Sequence, residues 1–246
     1  MDRIDYLESR PGIQLAYRPL AGKGPALIFL PGYASNMDGA KAGALAGWAE
    51  AEGRAMLRFD YGGCGRSGGD FEAQSLSDWR DDVLAMIARS PAGPVVLVGS
   101  SMGGWLMLLA ALARPERVAG LVGIAAAPDF TDWGFSHEQK MTILRDGRIE
   151  QPNPYGETPH VTSRTFWESG EGLRLMHQPL AIDCPIRLIH GQRDADVNFA
   201  WSVEIARLAR SADVQTILVK QGDHRMSRES DLALLVGTVS SLLESL

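Results

Sequence analysis

The segment Gly99-Ser100-Ser101-Met102-Gly103 fits the pattern G-x-S-x-G, in which a serine at a sharp turn acts as a nucleophile. The apolar residues 95–99 precede it and a Leu/Ala-rich pattern follows it, so a buried strand is predicted to turn into a buried helix at the serine. The start of a helix favours the negative charge that develops during nucleophilic attack. Ser101 is therefore the candidate nucleophile.

A serine nucleophile needs a histidine base, and the base needs an acid that orients it. Residues 190–197, His-Gly-Gln-Arg-Asp-Ala-Asp-Val, begin at the end of a predicted strand and contain two candidate acids, Asp194 and Asp196. His224 follows the next predicted strand and is the candidate base. Because the carboxyl ends of parallel strands meet at one edge of a sheet, these side chains are expected to lie near Ser101.

An alternation of strands and helices must bring these residues together. Apolar runs predict strands at residues 4–9, 14–18, 26–30, 55–60, 95–99, 118–124, 186–190 and 214–219. Helical patterns predict helices at residues 39–52, 76–89 (with Ser75 or Ser77 as N-cap), 102–113, 199–208 and from about 228. After an antiparallel pair of strands at the start, this order indicates an α/β fold with a mostly parallel sheet and helices on both faces.

The alternation is interrupted between residues 128 and 185, where Pro, Gly and large aromatic residues are scattered. We expect a single domain over residues 1–246, with a small cap inserted at about 129–182. The aromatic residues of this insertion are the candidates for substrate binding, namely Trp133, Phe135, Phe166 and Trp167. They serve equally well to attach the cap to the body, since cap helices must bury an apolar face in any case.

Five motifs together resemble the α/β-hydrolase family. They are Phe29-Leu30-Pro31-Gly32-Tyr33, Arg58-Phe59-Asp60-Tyr61-Gly62, Gly99-Ser100-Ser101-Met102-Gly103-Gly104-Trp105, His190-Gly191-x-x-Asp194 and Asp223-His224-Arg225-Met226. Within the family, the chain is most similar to a group of protein depalmitoylases and acyl-glucuronide esterases with mitochondrial and bacterial members. The similarity runs from about residue 27 to the end and is weakest at 130–175.

The resemblance implies hydrolysis of carboxylic esters or thioesters through an acyl-enzyme, without a metal or an organic cofactor. It implies Asp194 as the acid, with Asp196 as the alternative. It implies an oxyanion hole made by the backbone N–H groups of Tyr33 and Met102. Many family members have His where this chain has Pro31, but the donor is the Tyr33 amide, so the hole does not depend on that position. The implied substrate is a small molecule or an acylated protein.

Two other classes of function are compatible with the same motifs, namely other reactions on the same fold and ligand binding without catalysis. The fold also supports C–C bond hydrolysis and cofactor-free perhydrolysis, so fold alone does not choose among these reactions. Some members of the fold are ligand-binding modules with an idle site, but here a serine, two acids and a histidine all stand in the expected order.

Composition excludes several partners and locations. The net charge of −6 and the absence of a basic cluster argue against a nucleic-acid partner. Cys64 and Cys184 form neither a disulfide framework nor a metal-binding spacing, and with the charged N-terminus they predict a cytoplasmic protein. The uncharged segment 94–113 is long enough for a membrane span, but the Gly- and Ser-rich centre predicts a strand and a helix instead.

Three further signals are assigned structural roles. Residues 63–68 match G-x-G-x-x-G, but no helical pattern begins until about Ser77, so a nucleotide site is not predicted. His190, at a buried strand end, is expected to be a hydrogen-bonded core residue. Cys64 has neither a base nor a helix N-terminus beside it in the sequence, so it is not expected to act as a nucleophile.

Overall fold

The computed structural model describes residues 3–153 and 159–246, which contain ten strands and eight helices. The strands are β1 Asp5–Arg10, β2 Ile13–Leu20, β3 Lys23–Leu30, β4 Arg54–Phe59, β5 Val95–Ser100, β6 Val118–Ile124, β7 Arg148–Gln151, β8 His160–Ser163, β9 Ile186–Gly191 and β10 Val214–Val219. The helices are α1 Ala40–Ala51, α2 Leu76–Arg89, α3 Met102–Ala113, α4 Phe130–Trp133, α5 His137–Asp146, α6 Arg164–Gly172, α7 Ala200–Leu208 and α8 Glu229–Ser245.

Eight strands form one twisted sheet in the order β1-β2-β4-β3-β5-β6-β9-β10. The pairs β1–β2 and β2–β4 are antiparallel, and the other five pairs are parallel. The predicted α/β fold is therefore confirmed, including the antiparallel start. The carboxyl ends of β3, β5, β9 and β10 point to the same edge of the sheet.

Alternating side chains of the central strands fill two separate cores. On β3, Ile28 and Leu30 belong to the core beneath α2, α3 and α7. Leu27 and Phe29 belong to the core beneath α1 and α8 on the opposite face. Because both faces are covered, the central strands are continuously apolar instead of alternating with polar residues.

The uncharged segment 94–113 forms β5 and α3, as predicted from the sequence. All six residues of β5 are buried, as are ten of the twelve residues of α3. Among the described helices, none is long and apolar enough to cross a membrane.

The sequence left two candidates for the N-cap of helix α2, Ser75 and Ser77, and the structure distinguishes them. The Ser75 hydroxyl accepts a hydrogen bond from the Asp78 amide, and the Asp78 carboxylate accepts one from the Ser75 amide. This reciprocal capping box satisfies two backbone donors at the start of the helix, which identifies Ser75 as the N-cap. Residues 63–68 lie in the loop before it, so the helix starts well after the glycine-rich motif, as expected.

The segment between β6 and β9 holds α4, α5, the antiparallel hairpin β7–β8 and α6. Helix α6 packs against α2, and the Ser77 amide donates to the Ser169 hydroxyl across this contact. The buried carboxylate of Asp129 accepts hydrogen bonds from the Leu175 and Met176 amides, so it joins the two ends of the segment. The sequence did not predict the hairpin, because its strands have only four residues each.

Phe166 on α6 connects this segment to the body. Its ring lies 4.9 Å from the ring of Tyr33, 5.3 Å from that of Trp79 and 5.7 Å from that of Phe130, centroid to centroid. We expect Phe166→Ala to lower the free energy of unfolding by about 3–5 kcal/mol, the usual cost of emptying a buried aromatic site. Urea denaturation measures this.

The matched control is Met141→Ala on α5, because the Met141 side chain is 50% exposed. It should change the free energy of unfolding by less than about 0.5 kcal/mol. Equal effects of the two substitutions would contradict a shared core between the inserted segment and the body.

Candidate active site

Ser101 stands at the turn between β5 and α3 in a conformation that residues other than glycine seldom adopt, with φ 54° and ψ −119°. Its amide donates to the Ile124 carbonyl oxygen, and its own carbonyl oxygen accepts from the Gly104 and Ala127 amides. These bonds hold the strained residue in place, as in other nucleophile elbows. Ser101 is the one residue between the end of β5 at Ser100 and the start of α3 at Met102.

The two glycines of the G-x-S-x-G pattern are required by close approach. A Cβ on Gly103 would overlap the carbonyl oxygen of Leu30, and one on Gly99 would overlap that of Gly103. Both clashes are with backbone, which cannot move aside without displacing β3 or α3. The spacing of small residues around Ser101 is thus a packing requirement of the turn.

A chain of three side chains runs inward from Ser101. The Ser101 hydroxyl lies 3.0 Å from Nε2 of His224, and Nδ1 of His224 lies 2.8 Å from Oδ2 of Asp194. With Nδ1–H donating to the carboxylate, Nε2 is left as an acceptor for the hydroxyl proton. This arrangement can remove a proton from Ser101.

The loops that carry Asp194 and His224 pack backbone against backbone. A Cβ on Gly191 would overlap the backbone of Gly222, so this contact needs glycine at position 191. The Arg193 amide donates to the Gly222 carbonyl oxygen across it. On the far side of the His224 loop, the Lys41 ammonium of α1 donates to the Arg225 carbonyl oxygen. Burial, reinforced by the Arg225 charge, lowers the pKa of Lys41 to about 8.

The Asp194 carboxylate is enclosed by hydrogen-bond donors, and its side chain is only 1% exposed. Oδ1 accepts from the Asp196 and Val197 amides, at 2.9 and 2.8 Å. Oδ2 lies 2.8 Å from Nδ1 of His224 and 3.1 Å from Nε2 of His190. Burial raises the pKa of Asp194, but the hydrogen bonds from His190 and His224 outweigh it and hold the pKa well below its ordinary value.

Asp196, the alternative acid, has a different position. It donates its backbone amide to Asp194, and its exposed side chain reaches the wall of a cavity. Within the described residues, Asp194, Asp196 and His224 form the one group of acidic and histidine side chains close enough together to hold a metal ion. Two of the three are already hydrogen-bonded to each other and to Ser101, so an ion would compete with that chain.

A cavity of about 630 Å³ opens over Ser101, between the carboxyl edge of the sheet and the inserted segment. This volume is typical of small-molecule sites. The residues around it include Pro31, Gly32, Tyr33, Asn36, Lys41, Ser101, Met102, Phe130, Trp133, Phe135, His160, Asp196, Val197, His224 and Arg225. The wall thus has an aromatic part from the inserted segment and a polar part from the loops. Burial lowers the pKa of His160.

Tyr33 and Met102, predicted to form an oxyanion hole, both line this cavity. The Met102 amide belongs to the first residue of α3, where the N–H has no partner within the helix. The phenol of Tyr33 donates to the Val161 carbonyl oxygen on β8, at 2.5 Å. Burial raises the pKa of that phenol. The loop after β3 is therefore joined to the inserted hairpin next to Ser101.

The four aromatic residues predicted to bind substrate divide into two pairs. Trp133 and Phe135 line the cavity, and Trp133 also stacks on Trp201 of α7. Phe166 and Trp167 are not among the residues that line the cavity. Phe166 is buried in the aromatic cluster against the body, and the Trp167 indole donates to the Thr131 carbonyl oxygen. Their rings attach the inserted segment, because helix α6 turns this face toward α2 and α4.

The structure also adds residues that sequence reasoning did not place at the site. Phe130, Lys41 and His160 line the cavity, although no motif marks them. His190 is fully buried and hydrogen-bonded, as expected, and one of its partners is Asp194. Cys64 is buried, and burial raises the pKa of its thiol to about 12, so it is not a nucleophile at neutral pH.

This chain is similar to known proteins over nearly its whole length. The family described as serine aminopeptidase, S33 (Hydrolase_4) matches residues 24–142. Human mitochondrial palmitoyl-protein thioesterase ABHD10 is 42% identical over 243 residues, which are 97% of this chain and 79% of that protein. The structure of mouse alpha/beta hydrolase domain-containing protein 10 has a TM-score of 0.92 at 40% identity and covers 99% of both chains. A putative hydrolase from Agrobacterium vitis S4 has a TM-score of 0.91 at 29% identity and covers 99% of this chain and 98% of its own.

These similarities extend over nearly the whole chain, far beyond the elbow motif, and they confirm the predicted fold and the predicted resemblance. The relatives that match over nearly the whole chain are named as a thioesterase and as hydrolases, in agreement with a serine hydrolase. The chain belongs to the α/β-hydrolase family, and within it to the branch that contains the palmitoyl-protein thioesterase ABHD10.

Proposed function

We propose that this enzyme hydrolyses carboxylic esters or thioesters through an acyl-enzyme on Ser101, with His224 as the base and Asp194 as the acid that orients it. The observation that carries the proposal is the unbroken chain of hydrogen bonds from Ser101 through His224 to Asp194 at the base of the cavity. The strained elbow supports it, since the conformation of Ser101 leaves the hydroxyl at the cavity and not in the core.

The reaction has two halves. Nε2 of His224 takes the hydroxyl proton while Oγ of Ser101 attacks the acyl carbon, and collapse of the tetrahedral intermediate releases the alcohol or thiol with that proton. A water molecule then gives a proton to His224 and attacks the acyl-enzyme, which frees the acid and restores Ser101. Asp194 remains ionised throughout and stabilises the imidazolium of His224, in keeping with the lowered pKa of Asp194.

We assign stabilisation of the oxyanion to the backbone N–H groups of Tyr33 and Met102. The Met102 amide is at the positive end of α3, and the residue before Tyr33 lies against Ser101, since a Cβ on Gly32 would be 3.4 Å from the Ser101 Cβ. Two preorganised donors facing the same oxygen are the usual source of transition-state stabilisation in acyl transfer.

For the substrate, we propose an acyl chain that lies against the aromatic wall formed by Phe130, Trp133 and Phe135. Residues 129–182 then serve as a cap on a single domain of residues 1–246. The relatives named palmitoyl-protein thioesterase support a long acyl chain on a thioester. The mechanism uses side chains, backbone amides and water, with no cofactor. The cytoplasmic location remains a prediction, and the palmitoyl-protein thioesterase relatives are mitochondrial by name.

Removal of the nucleophile should abolish turnover. Ser101→Ala is expected to lower kcat for a nitrophenyl ester by about 10³-fold or more, because no other group can form the acyl-enzyme. The matched control is the neighbouring Ser100→Ala, which leaves the hydrogen bond between Ser101 and His224 in place. A Ser101→Ala enzyme that retains more than a tenth of the wild-type kcat would contradict the assignment.

The two candidate acids can be separated by isosteric amides. Asp194→Asn should lower kcat by about 10⁴-fold, because an amide favours the wrong tautomer of the histidine. Asp196→Asn should change kcat less than tenfold, since that residue contributes its backbone amide to Asp194. Steady-state kinetics on both variants measures the difference, and the reverse order of effects would transfer the role to Asp196.

Acyl-chain length tests the aromatic wall. Each methylene that leaves water contributes about 0.8 kcal/mol, so five methylenes against the wall raise kcat/KM by roughly 10³-fold. We expect kcat/KM to rise from acetyl to octanoyl thioesters, and Trp133→Ala to flatten the rise. Trp167→Ala is the matched control, because its indole lies outside the cavity and the rise should persist. A maximum at acetyl or butyryl would contradict the proposed acyl site.

A further inference from the structure

His190, the last histidine before the Asp194 loop, lies at the end of β9 and is completely buried. Its Nδ1 is 2.7 Å from the Ser202 hydroxyl on α7, and its Nε2 is 3.1 Å from Oδ2 of Asp194 and 3.0 Å from the Val197 carbonyl oxygen. We propose that His190 is a positioning residue that holds Asp194 in the orientation needed by His224, and that Ser202 supports the required tautomer of His190. This inference rests on the proposed role of Asp194.

The partners determine where the proton of His190 must be. The Val197 carbonyl oxygen can only accept, and so can the ionised carboxylate of Asp194. Nε2 of His190 must therefore carry a hydrogen and donate it. Nδ1 then faces the Ser202 hydroxyl, which can donate to it. Ser202 is itself fully buried, so bulk solvent does not compete for this contact.

Oδ2 of Asp194 is shared by two imidazoles. His224 contacts it from the cavity side, where the His224 side chain is 16% exposed, and His190 contacts it from the core, where its side chain is 0% exposed. The two loop amides hold Oδ1, and His190 adds the donor that fixes the second oxygen. Without it, the carboxylate can turn away from His224 or be reached by water.

The other charged groups around β9 are occupied elsewhere. Arg187, at the start of β9, pairs with Asp213, and on the neighbouring helices Glu204 pairs with Arg207 and Asp231 with Arg228. The ionisable groups near the buried pair of His190 and Asp194 are His224 and Asp196. His160 interacts with Asp196, and Asp223 and Arg225 flank His224 in the sequence. A change in the pH profile after substitution of His190 thus acts through the Asp194–His224 pair.

Three substitutions of His190 separate positioning from packing. His190→Gln can place an amide N–H near the position of Nε2 and donate to Asp194, whereas His190→Asn reaches only the position of Nδ1, near Ser202. His190→Leu provides no donor. We expect His190→Leu and His190→Asn to lower kcat by roughly 10- to 100-fold, the usual effect of losing a hydrogen bond to a charged group. The kcat of His190→Gln should be at least about tenfold higher than that of these two variants. KM should change less than twofold, because His190 does not line the cavity.

The pH profile gives a readout that packing alone does not move. Without the donor from His190, the Asp194 carboxylate turns away from His224 or is reached by water. It then stabilises the protonated form of His224 less, so the acid-side midpoint of kcat/KM should shift to lower pH in the Leu and Asn variants. The Gln variant should keep the wild-type midpoint. Melting temperatures show whether each variant is folded. Active-site titration gives the concentration of functional enzyme by which each rate is divided.

Two further measurements do not depend on the folding of these variants. Long-range ¹H–¹⁵N correlation spectra of the wild type should show a hydrogen on Nε2 of His190, and Ser202→Ala should lower kcat by about three- to tenfold with KM unchanged. A bare Nε2, or Gln and Asn variants of equal kcat and midpoint, would overturn the positioning role. If Asp194→Asn is inactive while His190→Leu is fully active, only this inference fails. If Asp194→Asn itself is active, the proposed acid fails.

Discussion

The site depends on the hydrogen bonds that keep the buried carboxylate of Asp194 ionised. Asp194 is removed from water, which opposes ionisation, yet four donors from His190, His224 and two loop amides favour the charged form. These donors come from the end of β9, from the loop after β10 and from the loop at 191–197 that carries Asp194 itself. The lowered pKa of Asp194 therefore depends on the native positions of β9, β10 and the loop at 191–197.

At the same edge of the sheet, close contacts between backbone segments determine the distances between the side chains of the site. Ser101 is strained, and the glycines at 99 and 103 allow β3, β5 and α3 to approach more closely than any Cβ would permit. Gly191 does the same for the loops that carry Asp194 and His224. The distances of 3.0 and 2.8 Å in the hydrogen-bond chain thus depend on close backbone contacts within a rigid sheet.

Much of this could be predicted from the sequence, because continuous apolar runs identify buried strands and the order of Ser101, Asp194 and His224 follows the strands. The inserted segment could not. The types of its aromatic residues do not reveal whether their rings face a ligand or a neighbouring helix. The packing of α6 on α2 shows that Phe166 and Trp167 attach the segment to the body. His190 could be recognised as buried, but its contact with Asp194 depends on the turn of the loop at 191–197, which residue types do not specify.

We infer that the hydrogen-bond chain from Asp194 through His224 to Ser101 makes Ser101 the one nucleophile of the site. Trapping the acyl-enzyme shows directly whether this is so. The enzyme is mixed with a slowly hydrolysed ester, quenched in acid and examined by intact mass, and the modified peptide is fragmented to distinguish Ser100 from Ser101. We expect one acyl group per chain, on Ser101, and a much lower rate of acylation when Asp194 is replaced by Asn. An acyl group on Ser100, on Cys64 or at the same rate in both enzymes would contradict it.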